Sequence, residues 1–243
     1  MAPPTTRPSR PSIARPGSGY VLTAVSPRLA GATSAPFSVA PGAFTVIPSA
    51  ARITWGKSVT LAIDFRPKDG SGAGRTISLQ AVRDGLTWST IATLVTDSAG
   101  HASLVYRPAS NLSYRALFAG SADLAGATST TARVVVRQTA FLRPTSDGSV
   151  TAIRRGTAVT FEATVRPARA DLPTPVVTFS FYRQISRVWT RVATRVVTAG
   201  LSGVARTTWT VQATGEWYVR AMANPTLYNA NSILTPIERY SVR

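Results

Sequence analysis

The chain repeats itself at an interval of about a hundred residues, the size of one β-sandwich domain. Segment 20–34 recurs without a gap as 218–232, and segment 56–67 recurs as 156–167. A copy of the first segment that is one residue longer begins at Tyr114. The interval is too long for a solenoid, so the repeat predicts a chain of similar small domains. Identical residues in the gap-free match are Tyr20/Tyr218, Val21/Val219, Pro27/Pro225, Leu29/Leu227, Ala32/Ala230 and Ser34/Ser232.

The local pattern of the repeated segments is that of β-strands. Residues 59–65 and 159–165 place an apolar side chain at every second position, which gives a strand one apolar face. Turn-forming pairs such as Asp69-Gly70 and Asp147-Gly148 separate the apolar runs. About seven short strands in each unit predict an all-β fold of two tandem immunoglobulin-like antiparallel β-sandwiches. The predicted core residues are Val59, Leu61, Ile63, Phe65, Val159, Phe161 and Val165.

Four segments are predicted along the chain. Residues 1–18 form a linker rich in proline and arginine, without regular structure, and residues 19–43 form a partial immunoglobulin-like repeat with only its last two strands. Residues 44–137 form the first complete domain, and residues 138–243 form the second. An isolated hairpin is marginally stable, so 19–43 should have no closed core of its own. Either further repeats precede it in the natural protein, which is the preferred interpretation, or the hairpin docks elsewhere.

Composition narrows the function classes. The chain has no cysteine, which excludes disulfides, thiol chemistry and cysteine-bound zinc. Its 27 basic and 10 acidic residues give a net charge of +17, without a block of like charges. A field of this sign attracts anionic polymers and membrane surfaces in a salt-dependent way. No apolar run reaches the length of a transmembrane span, and the N-terminal residues lack the apolar core of a signal peptide.

The sequence contains little that could perform catalysis. Histidine occurs once, at His101, and a catalytic triad would have to combine it with a residue such as Asp97. The simpler interpretation is a hairpin residue. The glycine-rich stretch 70–74 lacks the lysine of a phosphate-binding loop, and the carboxylates do not follow a calcium-loop pattern. We therefore predict a protein that is not an enzyme, with no cofactor, no metal site and no small-molecule substrate.

Two sets of side chains are candidates for binding. Trp88 and Trp189 recur at matching positions, which indicates a structural role, so Trp55, Trp209 and Trp217 are the better candidates for binding a sugar. Aromatic packing is the simpler explanation for these three. Four arginines spaced by four residues form the sharpest local pattern and are possible anion-binding residues: Arg183, Arg187, Arg191 and Arg195.

The geometry of a strand makes this arginine pattern testable. Arg191 and Arg195 should share one solvent-exposed face, with Val192 and Val196 beneath them in the core. A solvated sheet face without a ligand is the simpler interpretation of such a pattern. Recognition of single-stranded nucleic acid would need aromatic side chains interleaved with the arginines, and Tyr182-Arg183 and Trp189-x-Arg191 provide only a sparse version.

Residues 44–243 resemble the bacterial immunoglobulin-like domains that occur in tandem in secreted and surface proteins. The resemblance rests on Gly56-x-x-Val59, Arg66-Pro67, Trp88, 96–100 (TDSAG), Tyr114-Arg115-Ala116 and the closing Ser129…Val136. The second unit departs from it, because its hairpin 198–203 lacks the aspartate.

The resemblance implies an extracellular or cell-surface protein, a non-catalytic tandem segment that acts as a spacer or an adhesion module. The alternative hypothesis is a dedicated module that binds an anionic polymer, such as a cell-wall polymer, an acidic polysaccharide or nucleic acid. The sequence leaves the ligand and the oligomeric state open.

Overall fold

The structure is a computed structural model that describes residues 17–26, 29–39, 43–68, 70–83, 87–143, 150–168 and 172–243. These residues form twenty-one strands and no helix. No part of the chain that the structure describes has a helix of the length and apolar character needed to span a bilayer.

The N-terminal strands form a hairpin. They are β1 (Gly17–Tyr20), β2 (Thr23–Ser26), β3 (Leu29–Thr33) and β4 (Phe37–Val39). β1 pairs with β4 and β2 with β3, both antiparallel. Val25 leaves 85% of its surface exposed, and Val21 and Leu22 are also exposed. Residues 1–16 lie outside the described residues, so the predicted irregular linker stays a prediction. Gly17 and Ser18, which it included, begin β1.

This hairpin contains a reciprocal hydrogen-bonded pair of a kind that also occurs within each of the two sandwiches. The amide of Leu22 donates to the Ser34 hydroxyl at 3.0 Å, and the amide of Ser34 donates to the Leu22 carbonyl at 2.8 Å. Ala116 and Ser129 make the same pair in the first sandwich. Ala221 makes it with Thr235 in the second. Ala223 makes a further such pair with Ser232, the residue that aligns with Ser34. The assignment of segment 19–43 to the last strands of a repeat stays a proposal.

The first sandwich consists of two facing sheets. Its strands are β5 (Ala43–Pro48), β6 (Arg52–Thr54), β7 (Val59–Arg66), β8 (Thr76–Val82), β9 (Ser89–Val95), β10 (His101–Tyr106), β11 (Leu112–Phe118), β12 (Ala127–Thr128) and β13 (Ala132–Arg137). One sheet has the order β10-β7-β5, and the other has the order β6-β13-β11-β8-β9, with β12 added against β11. β6 pairs in parallel with β13, and the other pairs are antiparallel.

The second sandwich has the same strand order as the first, except that its described residues include no strand that corresponds to β12. Its strands are β14 (Thr139–Arg143), β15 (Val150–Ile153), β16 (Ala158–Arg166), β17 (Val176–Ile185), β18 (Val188–Thr198), β19 (Val204–Thr210), β20 (Gly215–Ala223) and β21 (Glu238–Val242). The sheets are β14-β16-β19 and β15-β21-β20-β17-β18. The predicted all-β fold of immunoglobulin-like sandwiches is confirmed.

Each sandwich has its own apolar core. Of the seven predicted core residues, six are buried to 2% exposure or less, and Val159 is half-buried. Phe161 is fully buried and contacts the rings of Phe181 and Tyr240 at centroid distances of 5.6 and 5.9 Å. The alternation of apolar residues therefore predicts the buried positions correctly, because one face of each sheet packs against the facing sheet.

The two sandwiches meet at a short, hydrogen-bonded joint. One residue, Gln138, separates β13 from β14, and its side chain is 1% exposed. Its Nε2 donates to the Asn224 carbonyl at 2.7 Å. Loop 224–232 of the second sandwich also bonds to the first sandwich, since the Ala230 amide donates to the Val136 carbonyl at 2.9 Å.

Two buried asparagines complete this joint. Asn229 is 2% exposed, and its Nδ2 donates to the Ala109 carbonyl at 3.0 Å and the Val136 carbonyl at 3.4 Å. Asn111 is 9% exposed, and its side-chain oxygen accepts from the backbone amide of Val136 at 2.8 Å. The backbone amide of Asn111 donates to the Tyr228 carbonyl of the second sandwich at 2.7 Å. Directional bonds to buried carbonyls hold one orientation better than apolar contact alone.

Candidate functional site

A row of side chains crosses the outer face of the five-stranded sheet in the second sandwich. Tyr218 in β20 pairs with Tyr182 in β17 on one side and with Arg239 in β21 on the other. Tyr182 in turn pairs with Arg191 in β18. Directly paired residues point to the same side of a sheet. Because the neighbouring residues Phe181 and Trp217 are buried, this row lies on the face that is turned away from the core.

Ring contacts tie this row together. The rings of Tyr182 and Tyr218 stack at 4.4 Å with an interplanar angle of 17°. Trp189 packs on Tyr218 at 4.7 Å with its ring inclined by 62°, and the Arg220 guanidinium lies 5.6 Å from the centre of the Tyr218 ring. We call this surface the aromatic–arginine face, and its members are Tyr182, Trp189, Arg191, Tyr218, Arg220 and Arg239.

The aromatic–arginine face carries three arginines, and one carboxylate, that of Glu216, shares the outer side of β20 with Tyr218. Within the described residues, Arg191, Arg220 and Arg239 take part in no ion pair. Burial raises the pKa of the Tyr218 phenol above its ordinary value, so the hydroxyl remains a donor at neutral pH. The face therefore offers guanidinium and phenol donors to an anionic ligand.

The arginine pattern does not form the single exposed row that the spacing predicts. Phe181 pairs with Ala193 and Tyr182 pairs with Arg191, so Val192 is an extra residue in a β-bulge. A bulge shifts the alternation by one residue. Arg191 therefore lies on the outer face, whereas Arg195 pairs with the buried Phe179 and lies on the inner side.

The burial predicted for the neighbouring valines is also wrong. Val192 is 43% exposed and Val196 is 63% exposed. Their strand, β18, is the outermost strand of its sheet, and the facing sheet has only three strands. The inner side of β18 is therefore incompletely covered, and both Arg191 and Arg195 are exposed, as predicted.

The remaining two arginines of the pattern have other surroundings. Arg183 donates from Nε and Nη2 to the Thr214 carbonyl at 3.1 and 2.8 Å, and its guanidinium lies 5.7 Å from the Trp217 ring. Arg187 and Ser186 form the turn between β17 and β18 with φ values of 65° and 50°. Two positive φ values are typical of a type I′ hairpin. Anion binding by all four arginines stays a prediction, and the structure brings only Arg191 onto the aromatic–arginine face.

Arg191 and Arg195 lie on an exposed sheet edge, because β18 is the outermost strand of its sheet. β18 presents unpaired backbone groups along eleven residues together with the exposed side chains of Val188, Val192 and Val196. Charged side chains on such an edge oppose pairing with another chain. We expect Arg191→Thr with Arg195→Thr to self-associate at concentrations where the unsubstituted chain does not, as measured by sedimentation velocity.

A matched variant controls for the lost charge in this experiment. Arg154→Thr with Arg155→Thr removes two exposed arginines from the same sandwich but leaves the edge of β18 unchanged. It should sediment like the unsubstituted chain. Identical sedimentation of both double variants would show that the arginines do not protect the edge.

The tryptophans are distributed differently from the prediction. Trp209 and Trp217 are 9% and 5% exposed, with ring centroids 4.6 Å apart in the core of the second sandwich, so they are not available to a sugar. Trp55 is half-buried. Trp189, for which the sequence predicts a structural role, is 38% exposed and is part of the aromatic–arginine face. Recurrence of a residue in both units therefore did not imply burial.

The first sandwich offers a natural comparison for this face. It has the same bulge, since Leu79 pairs with Ala92 and Gln80 pairs with Thr90. At its centre, Arg115 donates from Nε to the Gln80 carboxamide at 2.8 Å, and its guanidinium lies 4.2 Å from the Trp88 ring. Gln80 and Arg115 occupy the paired positions that Tyr182 and Tyr218 occupy in the second sandwich, so the tyrosine stack is not repeated at this pair.

His101 lies between two carboxylates without forming a catalytic arrangement. Its Nε2 is 3.8 Å from an oxygen of Asp64 and its Nδ1 is 3.9 Å from an oxygen of Asp97, both beyond hydrogen-bond length. Ser103 lines the same open depression. Asp64 pairs with Arg66, and Asp97 accepts from the amides of Ala99 and His101, which lowers the pKa of its carboxyl. The side chains therefore lack the ordered hydrogen bonds of a triad.

Metal binding has no candidate in the described part of the chain, where no three side chains of the ligating types come together. The ion pairs present there join one arginine to one carboxylate, as in Arg75–Asp123 and Arg206–Glu162.

Comparisons with known proteins gave structural similarities alone. No protein-family model matches the chain, and a search of curated proteins found no match. The chain is similar to the fibronectin(III)-like modules of CbhA from Clostridium thermocellum, at 13% identity and a TM-score of 0.30, over 82% of this chain and 94% of that one. It is similar to the D0-D1 domain of intimin at 16% identity and a TM-score of 0.29, over 82% and 97% of the two chains.

A third similarity is to native α2-macroglobulin of E. coli, at 13% identity and a TM-score of 0.31, over 94% of this chain and 19% of that one. TM-scores of this size carry no argument about function. The protein is an all-β chain of immunoglobulin-like sandwiches on the strength of its own strand order.

Proposed function

We propose that this chain is a stiff, non-catalytic tandem module of an extracellular bacterial protein, which holds other parts of that protein at a fixed distance or presents a binding surface. The observation that carries the proposal is the joint between the sandwiches. The extracellular location rests on the sequence resemblance to tandem domains of secreted and surface proteins.

The joint differs from the flexible linker that commonly separates domains. Relative domain motion is the usual expectation when few contacts cross a boundary. Here Gln138 is the single residue between the last strand of the first sandwich and the first strand of the second, and it is buried. Asn229 inserts from the second sandwich and donates to two carbonyls of the first. Bending would break these bonds and leave buried polar groups unpaired, which costs about 1–3 kcal/mol for each group.

Packing at the edge of the joint adds to its stiffness. The Arg83 guanidinium of the first sandwich lies 4.6 Å from the centre of the Tyr228 ring of the second. A further backbone bond runs from the Gln138 amide to the Ala230 carbonyl at 3.0 Å. Both contacts join the two sandwiches, so they add to the bonds that Asn229 and Gln138 make across the joint.

Spin-label distances test this stiffness. Because the chain contains no cysteine, labels can be placed at Thr93→Cys in the first sandwich and Thr194→Cys in the second, both exposed positions. We expect a narrow distance distribution by double electron–electron resonance. The control pair, Thr93→Cys with Arg52→Cys, places the labels on the two outermost strands of one sheet in the first sandwich, about 19 Å apart, and gives the width of a rigid body. A distribution between the sandwiches that is several times broader than the control would refute the stiff module.

A second candidate function is that of a module that binds an anionic polymer. The observation that favours it is the aromatic–arginine face, where three guanidiniums have no carboxylate partner within the described residues. A spacer role does not require such a face.

A further inference from the structure

We infer that the aromatic–arginine face binds an acidic polysaccharide, with uronate carboxylates held by the guanidiniums of Arg191 and Arg239 and sugar hydroxyls held by the phenols between them. This inference rests on the second candidate function, binding of an anionic polymer, and names the ligand class; it does not depend on the stiff tandem module.

The first support is the arrangement of charge. Arg239, Tyr218, Tyr182 and Arg191 occupy four neighbouring strands in one row. Adjacent strands are about 4.8 Å apart, so the two arginines at the ends are separated by about 14 Å. A single small anion cannot contact both ends, whereas an extended polymer with repeated charges can. Arginine suits this role because its planar fork matches a carboxylate at two points.

The second support is that, within the described residues, Arg191 and Arg239 make no ion pair, whereas Arg75 and Arg206 do. Arg75 donates to both oxygens of Asp123, which holds the pKa of that carboxyl well below its usual range. Arg206 bonds Glu162 at 2.9 Å from Nε. On the aromatic–arginine face no described carboxylate takes this position for Arg191 or Arg239. Binding a ligand there does not require breaking an internal ion pair.

The third support is that the centre of the face is already ordered. Stacking on Tyr182 and the inclined Trp189 ring fix the Tyr218 side chain from two directions. Arg220 lies against the same ring. Side chains held in place before binding lose less conformational entropy when a ligand arrives.

The same ring contacts favour a polysaccharide over single-stranded nucleic acid. Nucleobases bind by stacking on open ring faces. Each tyrosine ring has one face covered by the other, and Trp189 packs on Tyr218 as well. The face therefore offers few open ring surfaces for bases. A uronate unit combines hydroxyl groups with one carboxylate, which is the combination that phenol and guanidinium donors can satisfy.

Calorimetric titration of the whole chain with an oligogalacturonate of defined length tests the inference. We expect binding at about 50 mM salt that weakens strongly at about 200 mM, because charge neutralisation releases counterions. The methyl ester of the same oligomer lacks the carboxylate charge and should bind at least about tenfold more weakly, since a hydrogen bond to a charged group is worth about that factor.

Paired variants locate the binding site. Arg191→Ala with Arg239→Ala should weaken oligogalacturonate binding at least about tenfold and flatten its salt dependence. The control, Arg52→Ala with Arg154→Ala, removes the same net charge from exposed positions outside the face and should bind nearly as the unsubstituted chain does. Unchanged thermal unfolding in both variants shows that the fold is intact.

Four results would overturn the inference. The first is the absence of oligogalacturonate binding at low salt, and the second is equal binding of the methyl ester. The third is equal weakening by both double variants, which would mean that net charge acts without a site. The fourth is tighter binding of an oligothymidylate of similar length, which would assign the face to single-stranded nucleic acid.

Discussion

Replacement of Phe161 by alanine should destabilise the second sandwich by about 3–5 kcal/mol, the usual range for truncating a buried phenylalanine. Phe161 is fully buried and contacts the rings of Phe181 and Tyr240, so its truncation leaves a cavity that the surroundings fill only in part. Tryptophan fluorescence during urea unfolding measures the effect, because Trp209 and Trp217 lie in the same core.

Phe141 provides a matched control for this variant. It belongs to the same sandwich but is 60% exposed. Phe141→Ala should change the free energy of unfolding by no more than about 0.5 kcal/mol. A similar small change for Phe161→Ala would contradict the core described for the second sandwich.

Replacement of Asn229 by alanine should loosen the joint. The variant removes the donor to the Ala109 carbonyl, and a buried carbonyl left without a partner costs about 1–3 kcal/mol. The Val136 carbonyl loses its longer bond from Asn229 but keeps its bond from the Ala230 amide. We expect the spin-label distance distribution between Thr93→Cys and Thr194→Cys to broaden, while each sandwich keeps its own fold.

Asn231 supplies the control for the joint variant. It is exposed and lies two residues further along the same loop, where it bonds the carbonyl of Ser232 at 3.1 Å. Asn231→Ala should leave the distance distribution as narrow as in the unsubstituted background. Equal broadening by both variants would mean that the loop as a whole, and not the Asn229 side chain, sets the orientation.

Strand periodicity was sufficient to predict the core but not the surface. Residues 59–65 alternate without interruption, so their inward face followed from the sequence. In β18 the bulge at Val192 reverses the alternation, and no residue type in 188–198 marks the position of a bulge. The spacing therefore predicts one face for Arg191 and Arg195, whereas Arg191 lies on the outer face of the sheet and Arg195 lies on the inner side.

The sequence alone does not predict the aromatic–arginine face, because its members are far apart in the sequence. Tyr218 and Arg220 share the outer side of β20, which the alternation of residues 215–223 indicates. Their proximity to Tyr182, Arg191 and Arg239 depends on the order of strands in the sheet, and the strand order cannot be read from residue patterns within single strands.

The aligned tyrosines Tyr114 and Tyr218 show a related effect. Tyr114 is fully buried in the core of the first sandwich, whereas Tyr218 is half-buried on the outer face of the second. Identity at an aligned position therefore did not guarantee the same orientation, because a shift of one residue along a strand moves a side chain to the opposite face.

Residual dipolar couplings of the backbone amides, measured on the whole chain, test the central claim most directly. Couplings from the first and second sandwiches report the orientation of each unit relative to the magnetic field. A joint held by the backbone amide of Asn111 and the side chains of Gln138 and Asn229 predicts that one alignment tensor, with the same magnitude for both units, fits all couplings. Two tensors of clearly different magnitude would show that the sandwiches reorient independently and would contradict the stiff tandem module.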